Sequence, residues 1–538
     1  MTGVLDKERT IAGPHFNRWL VPPAALAIHL CIGMAYGFSV FWLPMTKLLE
    51  GNSTACSNQS WMADLFSSQC NWTVPEVSVT FTLFIFMLGV AAAFWGSWME
   101  HAGPRKSGFI AAWCWGGGMA LGGVGVMTHQ LWLVWLGCGV LGGIGQGLGY
   151  ITPVSTLIKW FPDRRGMATG LAIMGYGGGA MIGAPIAVAL MNHFGAGVAA
   201  EGVALTLITM GAIYFVIMTI GAFGFRTAPD GWLPTGFTPN TAQTKAMITD
   251  GHVHLSKAWH TPQFWLIWGV LCLNVSAGIG VIGMASPMLQ DIFGPLLVGA
   301  SSTDTITAAQ KAGIVAAAAG LVGLISLFNS VGRLFWASVS DWIGRKNTYF
   351  TFFVLGTALY LLMPTLGHLG AAGLFVLVVC VILTMYGGGF STVPAYLADI
   401  FGTQMVGAIH GRLLTAWSVA GIIGPVLIAN LREAQLHAGV PKNLVYDNTL
   451  YILAGLLVVG FFLNLMIRPV DPKHFMTADE LAEERALTEK ASHKAVNAEN
   501  AARGSFGITG AFAWLAVAVP FLIGVWIALG KASALFFH

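Results

Sequence analysis

One arginine stands where the chain should be least willing to hold a charge. Arg333 lies inside LFNSVGRLFWASVSDWIGRK (residues 327–346), an apolar run that ends in a charged turn. About 12 Å of helix, at 1.5 Å per residue, separates it from Asp341. An arginine near the middle of a membrane span costs about 2.5–3.5 kcal/mol on insertion scales, so something must offset it. No Asp or Glu lies well inside any of the twelve apolar runs that make up the body of the chain. A guanidinium offers a planar fork of donors that fits a carboxylate two bonds at a time. The residue types therefore point to an incoming small carboxylate anion. Asn329 lies one helical turn earlier on the same face, where it could orient the guanidinium, touch the anion or make an ordinary interhelical hydrogen bond.

The candidate pocket lining is aromatic. Tyr36 in AYGFSVFWLP, Tyr150 in GQGLGYITP, Tyr386 and Phe390 in MYGGGF, and Trp417 in LLTAWSVAG are flanked by glycine or small residues, which leaves room for a ring and a ligand. A single aromatic in a span is usually packing, but a buried phenol also needs a partner. Arg412 and His410 lie nearer the inner end of the eleventh run than Trp417 does. One central cation suits a monoanion, because a second carboxylate would stay unpaired in a low-dielectric cavity. Oxalate stays open if the cavity reaches Arg412. His29 in the first run is either a proton carrier or a structural histidine bonded to a neighbour. A proton could instead travel on the substrate's carboxyl, or one anion could exchange for another.

The elements that must position these residues are membrane helices. The chain has 538 residues, 56% hydrophobic and 9% charged, with mean hydropathy +0.71. A soluble domain of this size could not cover so much apolar surface with so little charge. The net charge of +3 is too small and dispersed for nucleic-acid binding. Apolar runs near 20–48, 77–99, 107–128, 131–158, 166–191, 202–225, 263–290, 312–339, 348–366, 371–396, 406–430 and 447–468 give twelve spans, with a thirteenth from Phe506 to about Leu529. Lys7, Arg9, Arg18, Arg105, Lys106, Lys159, Arg164, Arg165, Arg345, Lys346, Arg468 and Lys473 all fall on one side, and loops 129–130, 192–201 and 367–370 carry no Lys or Arg. This asymmetry places the N-terminus in the cytoplasm and the thirteenth span's end outside. The polar start reads as no cleavable signal peptide, and a monomer in the cell's inner (plasma) membrane is expected. Cys56 and Cys70 share the outer loop 51–76, where an oxidising compartment could join them. Three N-x-S/T triplets, at Asn52, Asn58 and Asn71, sit there too.

The chain repeats itself. WGSWMEHAGPRK begins at Trp95 and WASVSDWIGRK at Trp336, 241 positions later. The same spacing joins Ser97 to Ser338, Glu100 to Asp341, Gly103 to Gly344, Pro153 to Pro394, Gly166 to Gly407, Gly170 to Gly411 and Gly183 to Gly424. The expected organisation is a six-helix bundle at 1–225, a cytoplasmic loop at 226–262 and a second bundle at 263–470. A charged linker at 471–505 and an additional helix at 506–538 follow. Two halves rocking about a central site is how such a repeat serves a carrier. The turns holding Glu100, Gly103 and Arg105 and Asp341, Gly344 and Arg345 would latch the halves on the inner face, besides anchoring topology. The linker, alanine-rich and charged, should be a solvent-exposed helix or a flexible tether.

These glycine-bounded acid and basic turns resemble the signature of the major facilitator superfamily. More narrowly, KWFPDRRGMATGLAIMGYGGGA (159–180), YGGGFSTVPAYLADIFGT (386–403) and LFNSVGRLFWASVSDWIGR (327–345) are similar to the oxalate/formate antiporter family, over roughly residues 16–470. The resemblance implies an all-α polytopic fold of two six-helix bundles. It also implies transport of small carboxylates (oxalate, formate, lactate or pyruvate) with protons or a counter-anion. It puts a carboxylate-binding arginine at Arg333 and an aromatic cage at Tyr36, Tyr150, Tyr386 and Phe390. Oxalate carriers of that family bring a lysine into the eleventh span, and the matching position here is Trp417. A small monocarboxylate is therefore expected over oxalate. No cofactor or metal is expected: His252 and His254 lack further ligands at metal spacing, and the glycine-rich GGVGVM and GGIGQGLG lack the basic residue of a phosphate loop. No nucleophile, base and orienting group cluster as an enzyme would need. A non-transporting anion sensor or an anion channel are the competing readings.

Overall fold

A computed structural model of the chain describes residues 3–13, 15–49, 65–66, 68–72, 74–195, 199–229, 232–234, 247–249, 251–299, 306–489 and 507–532. The apolar runs become helices throughout, thirteen of them long and apolar enough to cross a membrane, with no strand among the described residues. The first bundle holds α1 (Val21–Ile32, prolonged by 3₁₀ turns over Gly33–Phe41), α2 (Val74–Ala102), α3 (Pro104–Met127), α4 (Leu131–Trp160), α5 (Arg165–Phe194) and α6 (Ala199–Gly224). The second holds α7 (Pro262–Leu297), α8 (Ala308–Ile343), α9 (Arg345–His368), α10 (Ala372–Phe401), α11 (Val406–Leu413, resumed at Thr415–His437) and α12 (Asp447–Met466). A surface helix α13 (Ala478–Glu489) and the additional span α14 (Gly507–Ala532) complete the chain.

The repeat is visible in the backbone. Gly103 and Gly344 both adopt φ 86°, a left-handed value that costs glycine nothing, and each opens the helix that follows it. α7 and α8 run to 36 residues each, well beyond the apolar stretches at 263–290 and 312–339. A capping box at Thr307 and Gln310 fixes where α8 begins. Between the bundles, α5 packs along α8, and α2 packs along α11, which are equivalent pairs under the repeat. Hydroxyls stitch that seam to backbone carbonyls: Ser326 to Gly177, Ser330 to Met174 and Thr169 to Ser391, each at 2.7 Å. Serine and threonine suit this role because a short side chain lets two helices approach while satisfying its own donor.

α14 lies across α5 and α8 on the outside of the same seam, with Trp514 Nε1 donating to Trp19 O at 3.0 Å. Its other faces carry exposed Phe512, Leu522 and Trp526, as a lipid-facing helix requires. The end of the central loop is ordered against the second bundle: Thr249 N donates to Asp399 O at 2.8 Å and Val253 N to Phe401 O at 2.9 Å. α13 docks there through Lys257 and Glu480 at 2.8 Å. Cys56, Asn52 and Asn58 lie outside the described residues. Asn71 is buried, its side-chain oxygen accepting from Leu49 N at 2.9 Å, so that triplet presents no free amide.

Candidate functional site

Arg333 ends up at the centre of the molecule, fully buried between the bundles. Its Nε donates to Asn329 Oδ1 at 3.1 Å, so the residue one turn earlier does orient the guanidinium. Nη1 donates across the seam to Ile173 O at 3.3 Å, and Nη2 reaches Tyr36 Oη at 3.5 Å. These bonds engage three of the five N–H groups a guanidinium carries. The rings of Tyr176 and Phe390, one from each bundle, flank the charge with Cζ 5.3 Å from each centroid. Three other arginines find acids: Arg18 meets Asp163 at 2.7 Å, Arg432 meets Asp291 at 2.8 Å, and Arg345 meets both Asp341 and Asp399. Arg333 forms no ion pair among the described residues.

Six helices, three from each bundle, build the surroundings. The 3₁₀ continuation of α1 brings Tyr36 to Tyr386 of α10, hydroxyl to hydroxyl at 2.9 Å. Tyr150 of α4, Tyr176 of α5 and Trp417 of α11 pack mutually edge-on at 5.4–5.5 Å between centroids. Phe390 closes the ring against Trp417 at 4.4 Å and Tyr386 at 5.3 Å. Glycine makes the close fit between α8 and α10 possible, since a Cβ on Gly387 would stand 2.6 Å from Asn329 Oδ1. All seven residues expected to bind substrate are thus brought together. The regular helix is interrupted around them: α1 tightens at Gly33–Phe41 and α11 breaks between Leu413 and Thr415. Such interruptions mark places where a helix can bend.

The cluster is rich in unmet polar atoms. Among the described residues, Tyr176 Oη, Trp417 Nε1 and both ring nitrogens of His410 are buried without a hydrogen-bond partner, and Tyr150 Oη is buried beside the Arg333 guanidinium. Each such atom costs about 1–3 kcal/mol if it stays unpaired. His410 stands 6.0 Å from Tyr150, centroid to centroid. Together these groups offer donors and acceptors beside a cation, which is what a small oxygen-bearing anion needs. Tyr176 and His410 are the members that reading the pocket from its motifs missed. Tyr176 carried a signal, for it stands 241 positions before Trp417, in register with the repeat. Arg412 turns the other way: its guanidinium reaches Leu255 O at 3.3 Å and lies over Trp259, so it offers no second cation to the site.

At the basic face the two repeated turns behave differently. Asp341 crosses the seam and accepts from the backbone N–H of Gly166 and Met167 at 3.0 Å each, capping the first turn of α5. Arg345 braces it with Nη2 at 2.6 Å from Asp341 Oδ1 and Nε at 3.2 Å from Asp399 Oδ2. Glu100 makes its hydrogen bond, from Ser155 Oγ at 2.8 Å, and its ion pair, with Lys159, inside its own bundle, although its Oε1 also lies against Gly407 of α11. Arg105 also stays there, donating to Val4 O at 3.0 Å and lying over the Phe223 ring.

Comparisons with known proteins agree with this architecture. The Major Facilitator Superfamily sequence model matches residues 25–425. The oxalate:formate antiporter of Oxalobacter formigenes is 26% identical over 79% of this chain and 95% of its own length. The apicoplast pyruvate carrier 1 of Toxoplasma gondii is 24% identical over 63% of this chain and 65% of its own. Among solved structures, the proton:xylose symporter XylE superposes with a TM-score of 0.55 at 14% identity, covering 87% of this chain and 99% of that one. The human organic anion transporter MFSD10 gives 0.54 at 14% identity, covering 83% and 99%.

Proposed function

From the premise that this chain belongs to the Major Facilitator Superfamily, we propose that it is a secondary carrier of small monocarboxylates such as pyruvate, lactate or formate. Arg333 takes the carboxylate on its free N–H groups. Tyr36, Tyr150, Tyr176, Tyr386 and Trp417 supply further hydrogen-bonding groups around the anion, and Phe390 and the tyrosine rings wall the site. The observation that carries this reading is a fully buried guanidinium with no carboxylate against it among the described residues, set in a cage of unpartnered polar atoms. A protein without a ligand for that site would hold an uncompensated buried charge. Alternating access follows if the seam between α5 and α8 opens at the basic face when Asp341 releases the N-terminus of α5, while the opposite face closes. The basic loops put that face in the cytoplasm of a cell whose plasma membrane holds the protein as a monomer. The bundles are taken as 1–225 and 263–470.

Exchange of oxalate for formate is the second reading, favoured by the likeness to the Oxalobacter antiporter. Trp417 in place of a second cation, and Arg412 turned toward the central loop, weigh against a dianion. Proteoliposomes loaded with unlabelled pyruvate, lactate, formate or oxalate should show counterflow of at least one labelled monocarboxylate, and oxalate should compete weakly. Counterflow of oxalate alone would replace the first reading with the second. Saturable binding without counterflow would leave a sensor.

A further inference from the structure

His29 is fully buried in α1, and its ring is placed between two backbone carbonyl oxygens. Nδ1 faces Ala172 O of α5, and Nε2 faces Tyr150 O of α4 at 3.2 Å. Both oxygens can only accept. A neutral imidazole has one N–H and one lone pair, so it satisfies one carbonyl and turns a lone pair on the other. An imidazolium donates to both. The backbone is therefore arranged for a ring that can hold the extra proton. The ring also lies 5.4 Å from Tyr150 and 6.4 Å from Tyr176, two walls of the anion cage.

We propose that His29 is the proton-binding site of this carrier, filled when the carboxylate binds, so that anion and proton cross together as an electroneutral pair. The inference rests on the monocarboxylate reading above. The titratable and charged groups set beside the ring are Tyr150 from α4, Tyr176 from α5 and Arg333 from α8. No carboxylate among the described residues lies against it. Arg333 is thus the one formal charge acting on the ring among the described residues, beside the two carbonyl dipoles that face it. Without substrate, its charge and a neutral His29 give the site one positive charge. A bound carboxylate cancels that charge, and a proton on His29 restores it. The site then carries the same charge loaded and empty, so anion and proton cross together with no net charge moved. The proton enters from the same side as the anion, bonds to the ring nitrogen whose lone pair faces a carbonyl, and leaves when the anion leaves. By linkage each ligand strengthens the other's binding by the same factor.

The test uses the full chain in proteoliposomes with labelled pyruvate, membrane potential clamped, and protein-free vesicles as the baseline. Wild type should accumulate pyruvate on the alkaline side by up to about tenfold per pH unit imposed. In His29→Gln, a side chain that can donate to a carbonyl but cannot take up the proton, the ratio of gradient-driven accumulation to counterflow should collapse. A variant that accumulates pyruvate as wild type does overturns the proposal. For a variant that does not fold, wild type decides alone: calorimetry of pyruvate binding in buffers of different ionisation enthalpy should show one proton taken up per anion, and none overturns it. Wild type with counterflow but no response to the gradient also sinks this proposal and leaves the carrier reading standing. Wild type with no counterflow of any acid sinks both.

Discussion

The two halves of this chain share a scaffold and differ in charge. At 241 positions apart, Ala92 packs in the first half where Arg333 stands buried in the second, and Tyr176 stands opposite Trp417 across the cage. Glu100 and Asp341 occupy equivalent turns and both reach the partner bundle's glycine, yet Glu100 is ion-paired with Lys159 at home while Asp341 accepts from two N–H groups of the partner bundle. The difference teaches that repetition supplies helices, turns and a seam, while the proposed site comes from breaking the repetition. A symmetric pair of central cations would repel each other; a single one leaves a net charge for substrate to meet.

The largest break is at Arg333. Arg333→Gln should lower pyruvate counterflow by about 30-fold or more, since losing one member of a buried charge pair costs about 2–5 kcal/mol. Normal rates in that variant would remove the substrate role. Next is the unequal pair of turns. Asp341→Asn loses charge-assisted bonds across the seam, each worth about 1.5–3 kcal/mol, so counterflow should fall about tenfold. Glu100→Gln, which leaves the Asp341 bonds intact, should cost about 1.5–3 kcal/mol of stability by thermal melting, the worth of hydrogen bonds to a buried charge, and change the rate little. Equal rate losses in the two variants would contradict the asymmetry.

A smaller effect sharpens the view across the cage. Trp417→Lys should shift competition in counterflow toward oxalate, by giving a second carboxylate its own cation. Tyr176→Phe should weaken pyruvate binding about fivefold, for one neutral hydrogen bond of about 1 kcal/mol. An unchanged preference in Trp417→Lys would show that this position does not set the charge of the substrate.

The smallest effect lies at the surface. Lys257 holds the Glu480 carboxyl below its ordinary value, chiefly through their hydrogen bond. A lowered folded value means this contact is fully present above the unfolded glutamate value and is lost as pH falls through the folded one. Amide exchange in α13 should therefore quicken under acid, and in Glu480→Gln it should be fast already at neutral pH.

Much of this was legible in the sequence. Thirteen apolar runs could only be membrane helices, and the spacing of Glu100 and Asp341, Gly103 and Gly344 disclosed the duplication. Arg333 was visible because a lone cation in an apolar run has few structural explanations. Tyr176 was legible too, through its register with Trp417, but a tyrosine among glycines in MGYGGGA reads first as packing. The turn of Arg412 toward Leu255 was not, because rotation about a helix axis near a break depends on partners distant in the chain. Nor were the two carbonyls facing His29, since backbone acceptors leave no mark in residue identity.

The account depends most on what meets the Arg333 guanidinium when substrate is present. A structure determined by electron cryomicroscopy with saturating pyruvate tests this directly. It should show the carboxylate oxygens on Arg333 within hydrogen-bond distance, beneath Tyr176 and Phe390. Pyruvate bound elsewhere, with Arg333 unaltered or joined to a protein carboxylate, would contradict it.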